Sequence, residues 1–565
     1  MTSAAATEDR QRTGVVVHDP TGTPPSVRGR SPAERTATLD GRPVFLVDSR
    51  FDDSVELLRQ IGTWFEEQMP AVRTTMVQLT GTYATDDPQL WTRIAAEGGV
   101  AILGVGHCST CAPAVTTHAI TLETRYGVPA VAVHTETFHR VVGSVARMGG
   151  LAELTQVFVP QPVMGRSAAQ LREYVHGDDP VRGGPVMRRI LDGLTSATGP
   201  AIGPVAGAGA GAVGSGRSGT RRLLPADSED RLHELFLERS WTDMLPIVLP
   251  TERRVAEMLR GTSRDPGEVV GRMQPTANRG AWIYTVENVA VNAVMAGARP
   301  EYLPVILALA AGGHSARSSS SSSASAMVVV NGPVREEIGM NSGIGAMGPY
   351  NHANATIGRA FGLASQNLQG GSVPGETYMG SQGNGLTYNN VTFAENEERS
   401  PWEPLHVQRG HHPRESTVTV FQGGRSTTFG LGLREEHWRE HVQDMLRGTD
   451  VVGAPTLLLD PLAAAQFVER GGFTDKAALI SWIHRTATMR ADRYWDLQLV
   501  RNYIQPRATS GEEPLATRLR AAPEEEIPMF AERDVGVVVV GGGTNGYWQI
   551  IGSRPVVTVS IDEWR

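Results

Sequence analysis

The chain holds two cysteines among its 565 residues, Cys108 and Cys111, in the run Gly104-Val105-Gly106-His107-Cys108-Ser109-Thr110-Cys111. Two thiols at this spacing allow three kinds of chemistry. One thiolate can attack while the other resolves, closing a reversible disulfide. Cys108 alone can act as a nucleophile toward carbon or sulfur, with His107 or His134 as proton carrier. Or the pair can join histidines in binding a metal, although zinc wants four ligands and there is no second cysteine pair. Without chemistry, the two are simply small buried hydrophobes. The surroundings favour a reactive thiol. Val100-Ala101-Ile102-Leu103 reads as a buried strand, and residues 116–126 read as a helix entered through a loop containing Ala112-Pro113. A thiol near a helix start sits close to unpartnered N–H groups and the positive end of the helix dipole, which lowers its pKa. On this reading Cys108 attacks, Cys111 is the partner thiol, and His107 tunes or relays a proton. Thr110 and backbone N–H groups stabilise developing negative charge.

The remaining candidates are polar residues at strand ends and in glycine-rich loops. Asp48, Ser49 and Arg50 follow the short strand at residues 44–47, and His134 and Glu136 close another at residues 128–134. Further on, Asn331 ends a strand, and Gly343-Ile344-Gly345-Ala346-Met347-Gly348 matches a dinucleotide fingerprint by letter only. It lies well beyond its strand, runs into Pro349, and lacks an acidic residue at the expected distance. It reads instead as a tight polar loop delivering Asn341, Ser342, Asn351 and Asn354 to a cleft at a helix start that could hold a carboxylate or phosphate. The run Gly541, Gly542, Gly543, Thr544, Asn545, Gly546 follows a Val-rich strand and can cradle an anion, but it has no Walker lysine. Either glycine loop also reads as a plain turn. Glu395, Glu397 and Glu398, with His411-His412 downstream, could bind a cation or move protons; a solvated loop is the simpler expectation.

Strands and helices alternate over the first 200 residues. Strands are expected near 44–47, 74–79, 100–103, 128–134 and 157–160, with helices at 54–69, 88–97, 137–148 and 186–194 between and after them. That rhythm means βαβ units and a parallel sheet, Rossmann-like or flavodoxin-like, whose ligands bind beyond the carboxyl ends of the strands. Residues 1–38 lack apolar periodicity and read as a mobile tail, 39–198 as the α/β thiol domain, 199–225 as a Gly/Ala-rich linker, and 226–565 as a larger α/β or α+β domain. The serine run at 318–323 reads as an exposed loop.

Composition narrows the function classes. Net charge is −8 and the basic residues are scattered, so nothing forms the footprint of nucleic-acid binding. No apolar run is long enough to span a membrane, and residues 1–30 have no secretory h-region. A cytoplasmic enzyme forming a homo-oligomer is expected, with a small-molecule substrate and neither nucleic-acid nor membrane partners. No cofactor or metal is evident, beyond the possibility of an external thiol reductant.

The cysteine run resembles the signature of the UGSC-type proteins, in which selenocysteine or cysteine is followed by Gly-Ser-Cys after a glycine-rich strand end. Residues 118–123, 127–131 and Val157-Phe158-Val159-Pro160-Gln161-Pro162 resemble the family's following helix and strands, and the likeness covers about residues 42–198. It implies an α/β domain with a thiol or selenol active site, Cys108 in the selenocysteine position and Cys111 as partner thiol. Ser109 stands for the family's Gly and Thr110 for its Ser, and sulfur at 108 is a weaker reductant than selenium. The second region resembles uncharacterised proteins that accompany UGSC domains, through Trp241-Thr242-Asp243-Met244-Leu245-Pro246, residues 292–302 and Asn331-Gly332-Pro333. The expected function is thiol-dependent cleavage, transfer or reduction of a small anionic metabolite at a carbon–heteroatom or sulfur centre. The alternatives are a redox-neutral cysteine lyase, racemase or decarboxylase, or a non-catalytic metal or sulfur carrier.

Overall fold

The strand β1 (Pro43–Asp48) is buried along its whole length, so both of its faces need cover. A computed structural model, describing residues 14–196, 222–273, 281–317, 320–370 and 372–565, shows what supplies it. Val44 and Leu46 pack toward α1 (Ser54–Gln68), while Phe45 and Val47 pack toward α2 (Pro88–Ala96) and α3 (Cys111–Thr121). The first face is completed by α5 (Ala168–His176) and α6 (Val186–Thr195), and α4 (His139–Met148) lies beside α3. The strands β1, β2 (Arg73–Gln78), β3 (Val100–Gly106), β4 (Ala130–Thr135) and β5 (Gln156–Val159) are all parallel, in the order β2-β1-β3-β4-β5. This is the flavodoxin-like order. Chain connections leave β1 and β3 in opposite directions, which opens a crevice between their carboxyl ends. The cysteine loop follows β3 and the 49–53 loop follows β1, so both lie at that crevice.

The second region is a mixed α/β body. It includes the small ribbons β6 (Val269–Met273) with β7 (Trp282–Thr285), and β12 (Thr488–Arg490) with β13 (Glu526–Pro528). Its main sheet is built from β8 (Ser325–Asn331), β9 (Thr392–Ala394), β10 (Thr417–Leu431), β11 (Pro455–Leu459), β14 (Gly536–Val539) and β15 (Tyr547–Ser560). The order is β14-β11-β15-β10-β8-β9, with both parallel and antiparallel neighbours. Val328, Val330, Val418 and Val420 pack against helices Val286–Met295, Leu303–Ala311 and His352–Asn367. Leu457, Leu459, Val537 and Val539 share a second core with helices Trp438–Arg447, Lys476–Thr486 and Gln498–Tyr503. None of the helices among the described residues is long and apolar enough to cross a membrane.

Three expectations need correction. The segment 14–38 is not a loose tail: Val15 pairs with Asp227, Val17 with Thr251, His18 with Leu223 and Thr23 with Ile283. Val17 is fully buried in the core of the second region, which holds the strap down. Farther along, Arg30 N–H donates to Gly150 O and Arg35 pairs with Glu123, so the strap also grips the first domain. Residues 1–13, and the linker up to residue 221, lie outside the described residues. Second, α3 begins at Cys111 rather than at 116, because Pro113 falls in the first turn, where a missing N–H costs no helix bond. Its last turn, Leu122–Tyr126, is π-helical. Third, the serine run does not simply face solvent. Ser321 N–H donates to Ser109 Oγ at 2.8 Å and Ser323 is buried; Ser318 and Ser319 lie outside the described residues.

Candidate functional site

The two cysteines bond each other reciprocally at the entrance to α3. The Cys111 N–H donates to Cys108 Sγ at 3.0 Å, and the Cys108 N–H donates to Cys111 Sγ at 3.0 Å. The exchange resembles a capping box with sulfur in place of oxygen, set in the turn that leads into α3, and it requires a spacing of three. Thr110 Oγ1 lies 3.3 Å from Cys108 Sγ and 2.8 Å from Tyr83 Oη, so a hydroxyl chain ends on the sulfur. Both thiols are free.

The environment treats the two sulfurs unequally. Burial opposes a thiolate at Cys108, but the Cys111 thiol, the Thr110 hydroxyl and the amides of both residues outweigh it, and the pKa falls below the ordinary thiol value. At Cys111, burial and the neighbouring Cys108 sulfur act together and hold the pKa well above that value. The first proton to leave therefore comes from Cys108, and Cys111 keeps its own.

Three buried histidines stitch the loop to its neighbours. His107 Nε2 lies 3.0 Å from Phe51 O, His118 Nε2 lies 2.7 Å from Tyr83 O, and His134 Nε2 lies 3.3 Å from Thr116 Oγ1. Each has its pKa lowered, by burial above all, and for His134 it falls to about 3. They are therefore neutral at pH 7. His107 is turned toward the backbone after β1, and its ring packs edge-on against Phe51. His134 lies under the loop: a Cβ at Gly106 would come within 2.1 Å of its Nδ1 and 2.8 Å of Ala112 Cα, so only glycine fits there.

The second region roofs this site. Phe51, Tyr83, Cys108, Cys111 and Ala114 form a small apolar cluster, joined by Tyr503 from helix Gln498–Tyr503. Tyr503 packs edge-on against Phe51, with centroids 5.9 Å apart, and against Tyr83 at 6.0 Å. Cys108 keeps 7% of its surface and Cys111 none, so any attack starts at Cys108. On the other side, Met379 packs on Ala112 and Phe138, and Arg140 pairs with Glu376.

The other sequence candidates take separate places. Asp48 Oδ1 accepts from the N–H of Arg50 and from the Ser54 hydroxyl, and its Oδ2 accepts from Gln78, so it shapes the loop. Ser49 is buried, its N–H on Gly104 O. Arg50 directs its guanidinium at three neutral acceptors, Leu79 O, Thr80 O and Thr509 Oγ1. Glu136 is half-buried and accepts from Gln161 N–H.

In the second region, Asn341 and Asn351 spend their side chains on their own loop: Asn341 Nδ2 donates to Ile344 O and Asn351 Oδ1, and Asn351 Nδ2 to Gly345 O and Gly348 O. Asn354 closes the same loop onto Asn341. Ser342 O accepts from Gly541 N–H, and the amides of Gly546 and Tyr547 are taken by Asp460, which leaves those groups committed within the protein. Gly542 and Gly543 abut Ile344 and Arg399, while Thr544 and Asn545 are exposed. The loop expected to be solvated is so only in part: Glu398 is exposed, but Glu395 is buried. Glu395 pairs with Lys476 at 2.8 Å, both side chains fully buried, and accepts from Asn331 Nδ2 and Leu405 N–H. Asn331 also donates to Glu397, and Arg335 pairs with Glu397 and Glu398. The cations, distant in sequence, are what allow the carboxylates inside.

Sequence reasoning missed Tyr83, Phe51, Asn502 and Tyr503. Tyr83 follows β2, at the carboxyl edge where ligand sites gather, and that position was a usable signal. Asn502 and Tyr503 carried none. Two cavities, of about 170 and 200 Å³, lie elsewhere, one beside Gln422 and Arg554 and one beside Thr117 and Arg125. Among the described residues no group of three or more His, Cys, Asp or Glu is gathered for a metal ion.

Neither the curated proteins nor the solved structures contain a match to this chain. The model of the UGSC family matches residues 16–178, a span that takes in nearly all of the strap, the five-stranded sheet and both cysteines. Over that span the chain is therefore similar to the UGSC family.

Proposed function

We propose that the chain is a cysteine-dependent enzyme in which Cys108 attacks as a thiolate and Cys111 is the partner thiol. The observation that carries this reading is the unequal pair at the start of α3: amide and hydroxyl donors converge on Cys108 Sγ, while Cys111 stays protonated and buried. A helix start, nearby donors and partial exposure are the conditions under which a cysteine becomes a nucleophile. The proposed substrate is a small anionic metabolite. Arg50, next to Phe51 of the aromatic roof, supports that class, since its guanidinium donates to neutral acceptors and has the Asp48 carboxylate only as an electrostatic neighbour.

The reaction class is cleavage, transfer or reduction at a sulfur or carbon–heteroatom centre. A disulfide-bonded substrate would be reduced by two successive thiol exchanges. The Cys108 thiolate attacks one substrate sulfur, the S–S bond breaks, and the other half leaves as a thiolate. Cys111 then loses its proton to the remaining leaving sulfur and attacks Cys108 Sγ. The second half departs as a thiol, the Cys108–Cys111 disulfide closes, and two electrons have passed to the substrate. An external dithiol resets the pair by exchange.

Alkylation of the native protein against pH, read by intact mass, tests this. Single rapid labelling at Cys108, with an apparent pKa clearly below the roughly 8.5 of free cysteine, is the expected result. A mild oxidant should remove about two daltons as the disulfide closes, and Cys111→Ser should abolish that loss. A low pKa without the loss would favour a redox-neutral nucleophile. Two slow thiols with ordinary pKa values would sink the reading.

A further inference from the structure

We propose that Asn502, from the second region, is a positioning residue of the thiol site, which it serves by fixing the 49–53 loop and the aromatic roof over Cys108. The inference rests on the reading of Cys108 as the reacting group. That loop is held in an unusual shape. Arg50 has φ 58° and Asp52 has φ 47°, two non-glycine residues in the left-handed region on either side of Phe51. Such a backbone persists only where its surroundings over-determine it.

Much of what holds it comes from residues 498–509. The Asp52 N–H donates to Asn502 Oδ1 at 3.0 Å, and Asn502 Nδ2 donates back to Asp52 Oδ1 at 2.7 Å. Gln498 Nε2 reaches the same carboxylate oxygen at 2.7 Å, and Arg50 donates to Thr509 Oγ1 at 2.8 Å. Both left-handed residues are thus tied to one short stretch lying about 450 residues away along the chain. Asn502 is buried, and its amide meets Asp52 with a donor and an acceptor at once.

The loop carries the roof. Phe51 packs against Tyr83 and His107, each with centroids 5.3 Å apart, and Tyr503, the neighbour of Asn502, completes the group. One turn of helix therefore supplies both the latch on Asp52 and a ring over Cys108. The groups that lower the Cys108 pKa, the Cys111 thiol and amide and Thr110, belong to a different loop, and Tyr83, whose hydroxyl meets Thr110, is anchored separately by His118 on its carbonyl. Losing the latch should therefore change access to the sulfur and leave its acidity nearly alone, a split that a general loss of structure would not produce.

The experiment is alkylation of the full chain by iodoacetamide as a function of pH, which separates the limiting rate of the thiolate from the apparent pKa. Asn502→Ala removes two hydrogen bonds and should raise the limiting rate by about tenfold, with the pKa close to that of the parent. Asn502→Asp, nearly equal in volume, sets a carboxylate against Asp52 and should open the loop at least as far at neutral pH. Gln498→Ala, at an exposed position, should give a smaller rise of about threefold and keeps the test open should the buried variants fail to fold. Limiting rates within about twofold of the parent in the folded variants would overturn the proposal. A low-pKa Cys108 indifferent to Asn502 would remove the latch and keep the thiolate. An ordinary-pKa Cys108 that Asn502→Ala exposes would remove the thiolate and keep the latch.

Discussion

Thr110 is placed to decide how acidic Cys108 is. Its hydroxyl lies between the Cys108 sulfur and the Tyr83 phenol, and burial keeps that phenol protonated by raising its pKa. Tyr83 can thus donate to Thr110, which frees the Thr110 proton for the sulfur. Thr110→Val keeps the shape and removes the donor, so the Cys108 pKa should move up toward the ordinary value. Alkylation at neutral pH should then slow by about fivefold to tenfold, with the limiting rate at high pH preserved. Tyr83→Phe leaves Thr110 in place and should act in the same direction more weakly. If Thr110→Val leaves the pH profile where it was, the Cys111 amide and thiol alone set the acidity, and Thr110 only fills space.

Among the elements, the three buried histidines act as cross-links, tying β3 to the backbone after β1, α3 to the turn after β2, and β4 to α3. Because burial lowers their pKa values, the unfolded chain binds protons that the folded chain does not. Their contribution is intact above about pH 6.5, the unfolded value, and is lost as pH falls toward the folded value, which for His134 is about 3. His134 alone should cost about 2 kcal/mol of stability by pH 5. His134→Gln, which can keep a bond to Thr116, should flatten that slope. Hydrogen exchange in β3 and β4 at pH 7.5 and pH 5 reads the difference, and identical slopes in parent and variant would refute it. The sequence made β1 to β5 and the cysteine loop readable, because a buried parallel strand is a short apolar run and its order leaves a local imprint. The start of α3 was misplaced because Pro113 looks like a breaker but stands where a helix tolerates it. The roof was out of reach for another reason: no local pattern says that Tyr503 meets Phe51, or that Lys476 neutralises Glu395.

On the scale of the whole molecule, the strap at 14–38 binds the two regions together and also braces the far end of the cysteine helix. Arg35 reaches Glu123 at 2.8 Å, with its side chain 8% exposed and that of Glu123 fully buried. Glu123 sits in the π-helical turn after α3 and also accepts from the amides of Ala33 and Ala130, so one carboxylate joins strap, helix end and β4. Arg35→Met would leave that charge buried with two amides and no cation. A broken buried pair of this kind costs about 3–5 kcal/mol, and urea unfolding followed through the first domain should show a loss of that size. Arg35→Met with Glu123→Gln removes the stranded charge while keeping an acceptor for Ala130, and should recover about half of the loss or more. Recovery in the double variant would mean that the strap is held electrostatically at this point. A loss below about 1 kcal/mol in the single variant would mean that water reaches Glu123, and that the strap owes its place to Val17 and its β-bridges with the second region.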